Sequence, residues 1–217
     1  KESSAASDVY KRQTLISAIT ILGKQKGVIR PAIASVLPTV DRSVILLDSG
    51  ASLDVKPKVL FQFAVMGSKL AEALFDLEYP KIGLLNNGEE ESKGRELEKS
   101  AFKLLNSSSL NFVGNVEGRD FATTKVDVFV TDGFTGNIVL KTLEGTAKLQ
   151  QNLISDSFKQ NLFKPFLPSV KKALKPVKDQ LNPDKTNASY LLGVDGLVTI
   201  GHGLSLIHIS EPTRLRR

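Results

Sequence analysis

VTDGFTGNIVLKTLEG, residues Val130–Gly145, decides the fold. The apolar, β-branched run Val126–Thr131 stops at Asp132-Gly133. Gly136-Asn137 then opens an amphipathic helical pattern that carries Lys141 and Glu144. A buried strand that hands Asp, Gly and Asn to a helix N-terminus is how open α/β sheets build anion sites. The N–H groups of such a helix start are unpaired, and its dipole favours negative charge.

The same design recurs outward from this stretch. Ala32–Val36, Val44–Asp48, Lys81–Asn86, Leu110–Val113 and Leu197–Ile200 read as further strands. Helical spacing covers Thr14–Leu22, Pro57 to about Leu77, Ser92–Leu105 and Phe134–Ile154. Pro57 suits the first helical position. Strands alternating with helices predict a three-layer α/β/α fold with a mostly parallel or mixed sheet.

Both ends read as something other than protein design. Asp8–Gln13 can be encoded GAT GTG TAT AAG AGA CAG, whose reverse complement encodes LSLIHI, the sequence of Leu204–Ile209. Such complementarity marks translated sequencing-library adapters of the transposon type. Residues 1–13 and 204–217 are therefore set aside as non-native, leaving 14–203 as one partial domain. The expectation is an internal piece of a longer gene, since Met66 is the only methionine. The two ends hold six basic and three acidic residues, so the remainder carries 23 basic and 20 acidic side chains, a net charge of +3. That charge gives no case for nucleic-acid binding.

The chain is 41% hydrophobic, enough for a core. It has no Cys, hence no disulfide and no thiolate nucleophile. One histidine, His202, lies inside the retained segment, which argues against a metal site. No apolar run reaches the roughly 20 residues that span a bilayer. A cytoplasmic α/β protein is the expectation.

Four strand ends carry polar, glycine-bearing turns: Asp48-Ser49-Gly50-Ala51, Asn86-Asn87-Gly88-Glu89-Glu90, Gly114-Asn115 with Glu117–Asp120, and Asp132-Gly133-Phe134-Thr135-Gly136-Asn137. In a parallel sheet these ends share one rim and predict a polar cleft. Lys56, Lys93 and Lys141 are either phosphate-binding cations or solvated surface groups. His202 is a general base or a hydrogen-bonded structural imidazole. Glu89-Glu90-Glu91 is a cation site or a charged first turn. Phe158–Leu181 interleaves aromatic and aliphatic residues with lysines. That mix suits an interfacial anchor on anionic lipid or docking to an acidic partner, and equally a helix pair packed in a core. Pro165 and Pro168 argue against one continuous helix there.

DSGASLDVKP, GLLNNGEEESKG, FVGNVEGRD and VTDGFTGNIVLKTLEG, in this order, resemble the PlsX-type phosphate acyltransferases of bacterial phospholipid synthesis. The resemblance runs through Ile16–Gly145 and resumes weakly at Tyr190–Gly203, LLGVDGLVTIGHG forming its late strand and His-Gly turn. It implies an isopropylmalate dehydrogenase-like or phosphotransacetylase-like core, and attack of inorganic phosphate on a long-chain acyl-acyl carrier protein. Acyl phosphate and free carrier protein would result, with no cofactor and no covalent enzyme intermediate. It also implies a homodimer with peripheral membrane contact, for which Phe163, Phe166, Leu167, Lys171 and Lys172 are candidates.

On this resemblance Lys56, Asn86, Asn137 and His202 are the candidate catalytic residues. Asp48, Gly50, Gly88, Lys93, Asn115, Asp132, Gly133 and Gly136 are the candidate substrate-binding residues. Lys56 and Lys93 would meet phosphate charge, the three asparagines would orient phosphate or the acyl carbonyl, and Asp48 and Asp132 would position these groups. Family members usually have Asn where Ser52 stands and often Asn where Arg95 stands. The family's N-terminal glycine-rich blocks and the serine pair after the His-Gly turn have no counterpart here. The literal chain is therefore expected to be poorly folded or inactive. Competing readings are a phosphotransacetylase-type enzyme using acyl-CoA and a non-catalytic lipid- or carrier-protein-binding regulator. A nicotinamide dehydrogenase is disfavoured, since no G-x-G-x-x-G follows a strand.

Overall fold

The computed structural model describes residues 16–123, 125–160 and 189–200, with 169, 172 and 175 singly. Helix α1 covers 16–22. Then come β1 (Ala32–Pro38), β2 (Ser43–Leu47), α2 (Pro57–Phe75), β3 (Ile82–Leu85), α3 (Glu96–Asn106), β4 (Phe112–Val116), β5 (Val128–Val130), α4 (Gly133–Gln160), β6 (Ser189–Leu192) and β7 (Val198–Ile200). A short 3-10 turn, Gly118–Ala122, joins β4 to β5.

The strands form one sheet in the order β4-β3-β5-β2-β1-β6-β7. The left half, β4-β3-β5-β2, is parallel. The right half is antiparallel, with β1 against β2 and β6, and β6 against β7. The sheet is thus mixed. Alternation along each strand sends side chains to two cores. Ile45, Leu47, Ile82, Leu84, Val128 and Val130 meet α2 and α3 on one face. Val44, Leu46, Val116 and Phe129 meet Phe121 of the 3-10 turn and Leu140 of α4 on the other. On the flank of that second face, Ile33 and Leu191 pack against Ala18 and Ile19 of α1.

α2 shows why these residues make this layer. Pro57 opens it, and Val59, Leu60, Phe63, Ala64, Gly67 and Ala71 recur on the buried stripe. Gly67 sits so near β5 that a Cβ would lie 2.6 Å from Val128 Cγ1. Phe63 and Phe129 are fully buried, each stabilising the fold by about 2–3 kcal/mol. Phe129 also stacks on Phe121, with ring centroids 3.8 Å apart.

Three expectations need correction. The strand expected at Leu110–Val113 is displaced. β4 begins at Phe112 and takes in Gly114 and Asn115, the pairing with β3 shifting register between Ile82 and Leu84. α3 begins at Glu96 rather than Ser92, because Gly94 has φ +90° and ends the loop before it. β6 was not foreseen; it is four residues long and pairs on both sides.

Candidate functional site

The C-terminal ends of β2, β3, β4 and β5 share one rim because these strands run parallel. Three loops and the end of β4 are knitted together there. Asp48, fully buried, follows β2. Its Oδ1 accepts the N–H groups of Ile33 (3.0 Å), Gly50 (3.1 Å) and Ala51 (2.9 Å), and its Oδ2 accepts that of Ser52 (2.7 Å). The carboxylate therefore folds the β2–α2 loop around itself. Burial pushes its pKa up, opposed by these four hydrogen bonds.

The turn from β5 into α4 presses against that loop. Gly133 donates its N–H to the Ser52 carbonyl at 2.8 Å. A Cβ on Gly136 would lie 1.9 Å from the Asp48 carbonyl oxygen, so only glycine fits. Gly50, at φ +139°, faces Asn137, whose Oδ1 lies 3.6 Å from where a Cβ of Gly50 would stand. Asp132 is buried and caps the turn, taking Thr135 N–H on Oδ1 (2.8 Å) and Thr135 Oγ1 on Oδ2 (3.0 Å).

Arg95 joins this turn to the β3–α3 loop. Its Nη2 donates to Asp132 Oδ2 at 2.6 Å and also to Glu98 Oε1. Its Nε donates to both Glu98 oxygens, at 3.0 and 3.2 Å. Glu98 first and Asp132 second hold the guanidinium above its ordinary pKa. Glu98 in turn accepts the Arg95 backbone N–H at 2.8 Å, closing the first turn of α3.

Asn86 and Asn115 shape the β3–α3 loop. Asn86 Nδ2 donates to the Lys93 carbonyl (3.1 Å), and its Oδ1 accepts the Asn87 N–H (2.8 Å). A Cβ on Gly94 would strike this amide at 2.7 Å, and one on Gly88 would strike the Lys93 stem at 2.8 Å. Asn115, inside β4 and buried, donates from Nδ2 to the Glu90 carbonyl (2.8 Å). Its Oδ1 is buried with no partner among the described residues. Lys125 ties the outer side of the loop down through Glu89 at 2.9 Å.

The structure thus brings Asp48, Gly50, Asp132, Gly133, Gly136 and Asn137 together, and joins Asn86, Gly88, Lys93 and Asn115 to them through Arg95 and the Glu90 carbonyl. Lys56 and Lys93 are exposed at this end of the fold, and neither ammonium has a partner among the described residues. Lys141 is exposed and pairs with Glu144 at 3.2 Å. His202, Phe163, Phe166, Leu167 and Lys171 lie outside the described residues. Lys172 is helical and exposed. Glu89 is engaged by Lys125 and Arg119, and no metal-ligating cluster occurs among the described residues. No helix among them is long and apolar enough to cross a membrane. Sequence reasoning left Arg95 out of the site, since one of its carboxylate partners, Asp132, lies 37 residues away beyond β5.

A phosphotransacetylase-like α/β layer fold with a polar rim at its parallel strand ends is the class this geometry defines. The EutD phosphotransacetylase from Staphylococcus aureus shares that fold, with a TM-score of 0.50 and 19% identity over 62% of this chain and 48% of its own. The fatty acid synthesis protein family matches residues 13–208, and the chain belongs to that family. It is 44% identical over 200 residues to the phosphate acyltransferase of Elusimicrobium minutum, covering 88% of this chain and 57% of the relative. The phosphate acyltransferase of Pelotomaculum thermopropionicum is 45% identical over 195 residues, covering 88% and 56%. The chain thus spans a little over half the length of these relatives.

Proposed function

We propose that this chain is the larger part of an enzyme that transfers a long-chain acyl group from acyl-acyl carrier protein to inorganic phosphate. The observation that carries the reading is the 44% identity to a phosphate acyltransferase over 200 residues. A phosphate oxygen attacks the thioester carbonyl, the O–C bond forms, the C–S bond breaks, and the phosphate's proton ends on the leaving sulfur. The protein's task is to hold a dianion against a carbonyl and to stabilise the oxyanion that forms.

The knitted rim supports this reading, because donors fixed by neighbouring loops need no reorganisation during reaction. Asn86, Asn115 and Asn137 orient phosphate or the acyl carbonyl, Lys56 and Lys93 add charge, and His202 serves as general base. Asp48 and Asp132 act at one remove, their oxygens committed to loop N–H groups and to Thr135 and Arg95. Acyl phosphate feeds phospholipid synthesis. A homodimer and a peripheral membrane contact through Phe163–Lys172 belong to the same proposal; flotation with anionic vesicles tests the latter.

The test uses the full-length gene product with palmitoyl-acyl carrier protein, with and without phosphate, trapping acyl phosphate as the hydroxamate. Phosphate-dependent hydroxamate supports the reading. Equal or better turnover of palmitoyl-CoA moves the substrate to the CoA thioester. Carrier-protein binding without thioester loss makes the protein a regulator.

A further inference from the structure

Arg95 is the cation at this rim that the fold holds still. Its Nε and Nη2 are engaged by Glu98 and Asp132. Those carboxylates are almost wholly buried, whereas the Arg95 side chain is 62% exposed. Its Nη1 makes no hydrogen bond to the described residues. Glu98 across Nε and Nη2, and Asp132 on the second Nη2 hydrogen, fix the plane and direction of the guanidinium. Nη1 is left with two N–H donors whose direction is already set, on a group that never loses its charge.

Position and sequence point the same way. Arg95 stands at the N-cap of α3, where a residue that accepts N–H bonds is the usual choice, and it makes no side-chain cap there. Its side chain instead reaches across to Asp132, in the turn between β5 and α4. Lys93, two residues earlier, is exposed and unpaired among the described residues. A lysine ammonium in that state must surrender rotamer freedom to bind, whereas the clamped arginine has already done so.

We infer that Arg95, clamped by Glu98 and Asp132, is a phosphate-binding residue of this site, its Nη1 edge hydrogen-bonding the oxygens of inorganic phosphate. The inference rests on the proposed acyltransferase reading for its ligand. The two carboxylates set the donors' direction and partly offset the charge, so the guanidinium acts by aimed hydrogen bonds, with Lys93 supplementing the positive charge.

The experiment compares the full-length gene product with R95Q, R95K and R95N, measuring equilibrium binding of inorganic phosphate, phosphate KM, palmitoyl-thioester KM and melting temperature. Losing a hydrogen bond to a charged group predicts phosphate Kd and KM raised ~10-fold or more in R95Q and R95N. The thioester KM stays put, and R95K falls in between. An R95Q protein that melts normally and binds phosphate as the parent does overturns the inference. So does a rise of both KM values together, which marks a structural part only, and so does a parent that binds no phosphate. A parent that binds phosphate without turnover sinks the acyltransferase reading, and the Kd of R95Q still decides the role of Arg95.

Discussion

Asp48 illustrates what a residue at this rim does. One carboxylate satisfies four backbone N–H groups in the dry interior. Asparagine has the same shape but turns one acceptor into a donor, so at least one buried N–H would face another. An unsatisfied buried donor costs ~1–3 kcal/mol. Asp48→Asn is expected to lower stability by about 3 kcal/mol in urea melts. Unchanged stability would show that the loop does not depend on this carboxylate. The sequence marked Asp48 as a strand-end aspartate that would position the phosphate- and carbonyl-holding groups; in the fold its oxygens hold the N–H groups of the β2–α2 loop and of β1. The contact of Arg95 with Asp132 was not legible, because the two lie 37 residues apart. A basic residue at an N-cap with Glu three positions on is the local signal that was there to use.

Among the elements, α4 carries the sharpest contrast. Gly136 and Gly145 both lie in it. A Cβ at Gly136 would overlap the Asp48 carbonyl, whereas one at Gly145 meets nothing within 4 Å. Gly136→Ala should destabilise by about 3 kcal/mol and abolish turnover, since the helix start must pull away from the β2–α2 loop. Gly145→Ala should instead raise stability by ~0.5–1 kcal/mol, the ordinary gain of alanine in a helix interior. Thermal melts of the two variants check both signs. β5 and α4 were legible because a β-branched run stops dead at Asp132-Gly133. β4 was misplaced because Gly114 and Asn115 read as turn residues. In the fold Gly114 has φ +103° inside the strand, at a register shift that no alternation pattern reveals.

At the scale of the whole molecule, the mixed sheet explains where the polar rim lies. Four parallel strands bring their C-terminal ends to one rim, and β1, running the other way, begins there and gives its Ile33 N–H to Asp48. The rim is therefore built from both halves of the sheet. The sequence predicted the layers and the shared rim. It could not predict the strand order, because pairing of β2 with β5 joins segments some 80 residues apart with only generic apolar runs to specify it. Membership of the fatty acid synthesis protein family gives this rim its chemical setting. The account's central claim is that a phosphate oxygen becomes bonded to the acyl carbon. Turnover of palmitoyl-acyl carrier protein by the full-length gene product in 18O-labelled phosphate tests this directly by mass spectrometry. The account predicts palmitoyl phosphate carrying the label of all four phosphate oxygens. Release of unlabelled palmitate at a rate indifferent to phosphate would mean that water is the acceptor, and would contradict it.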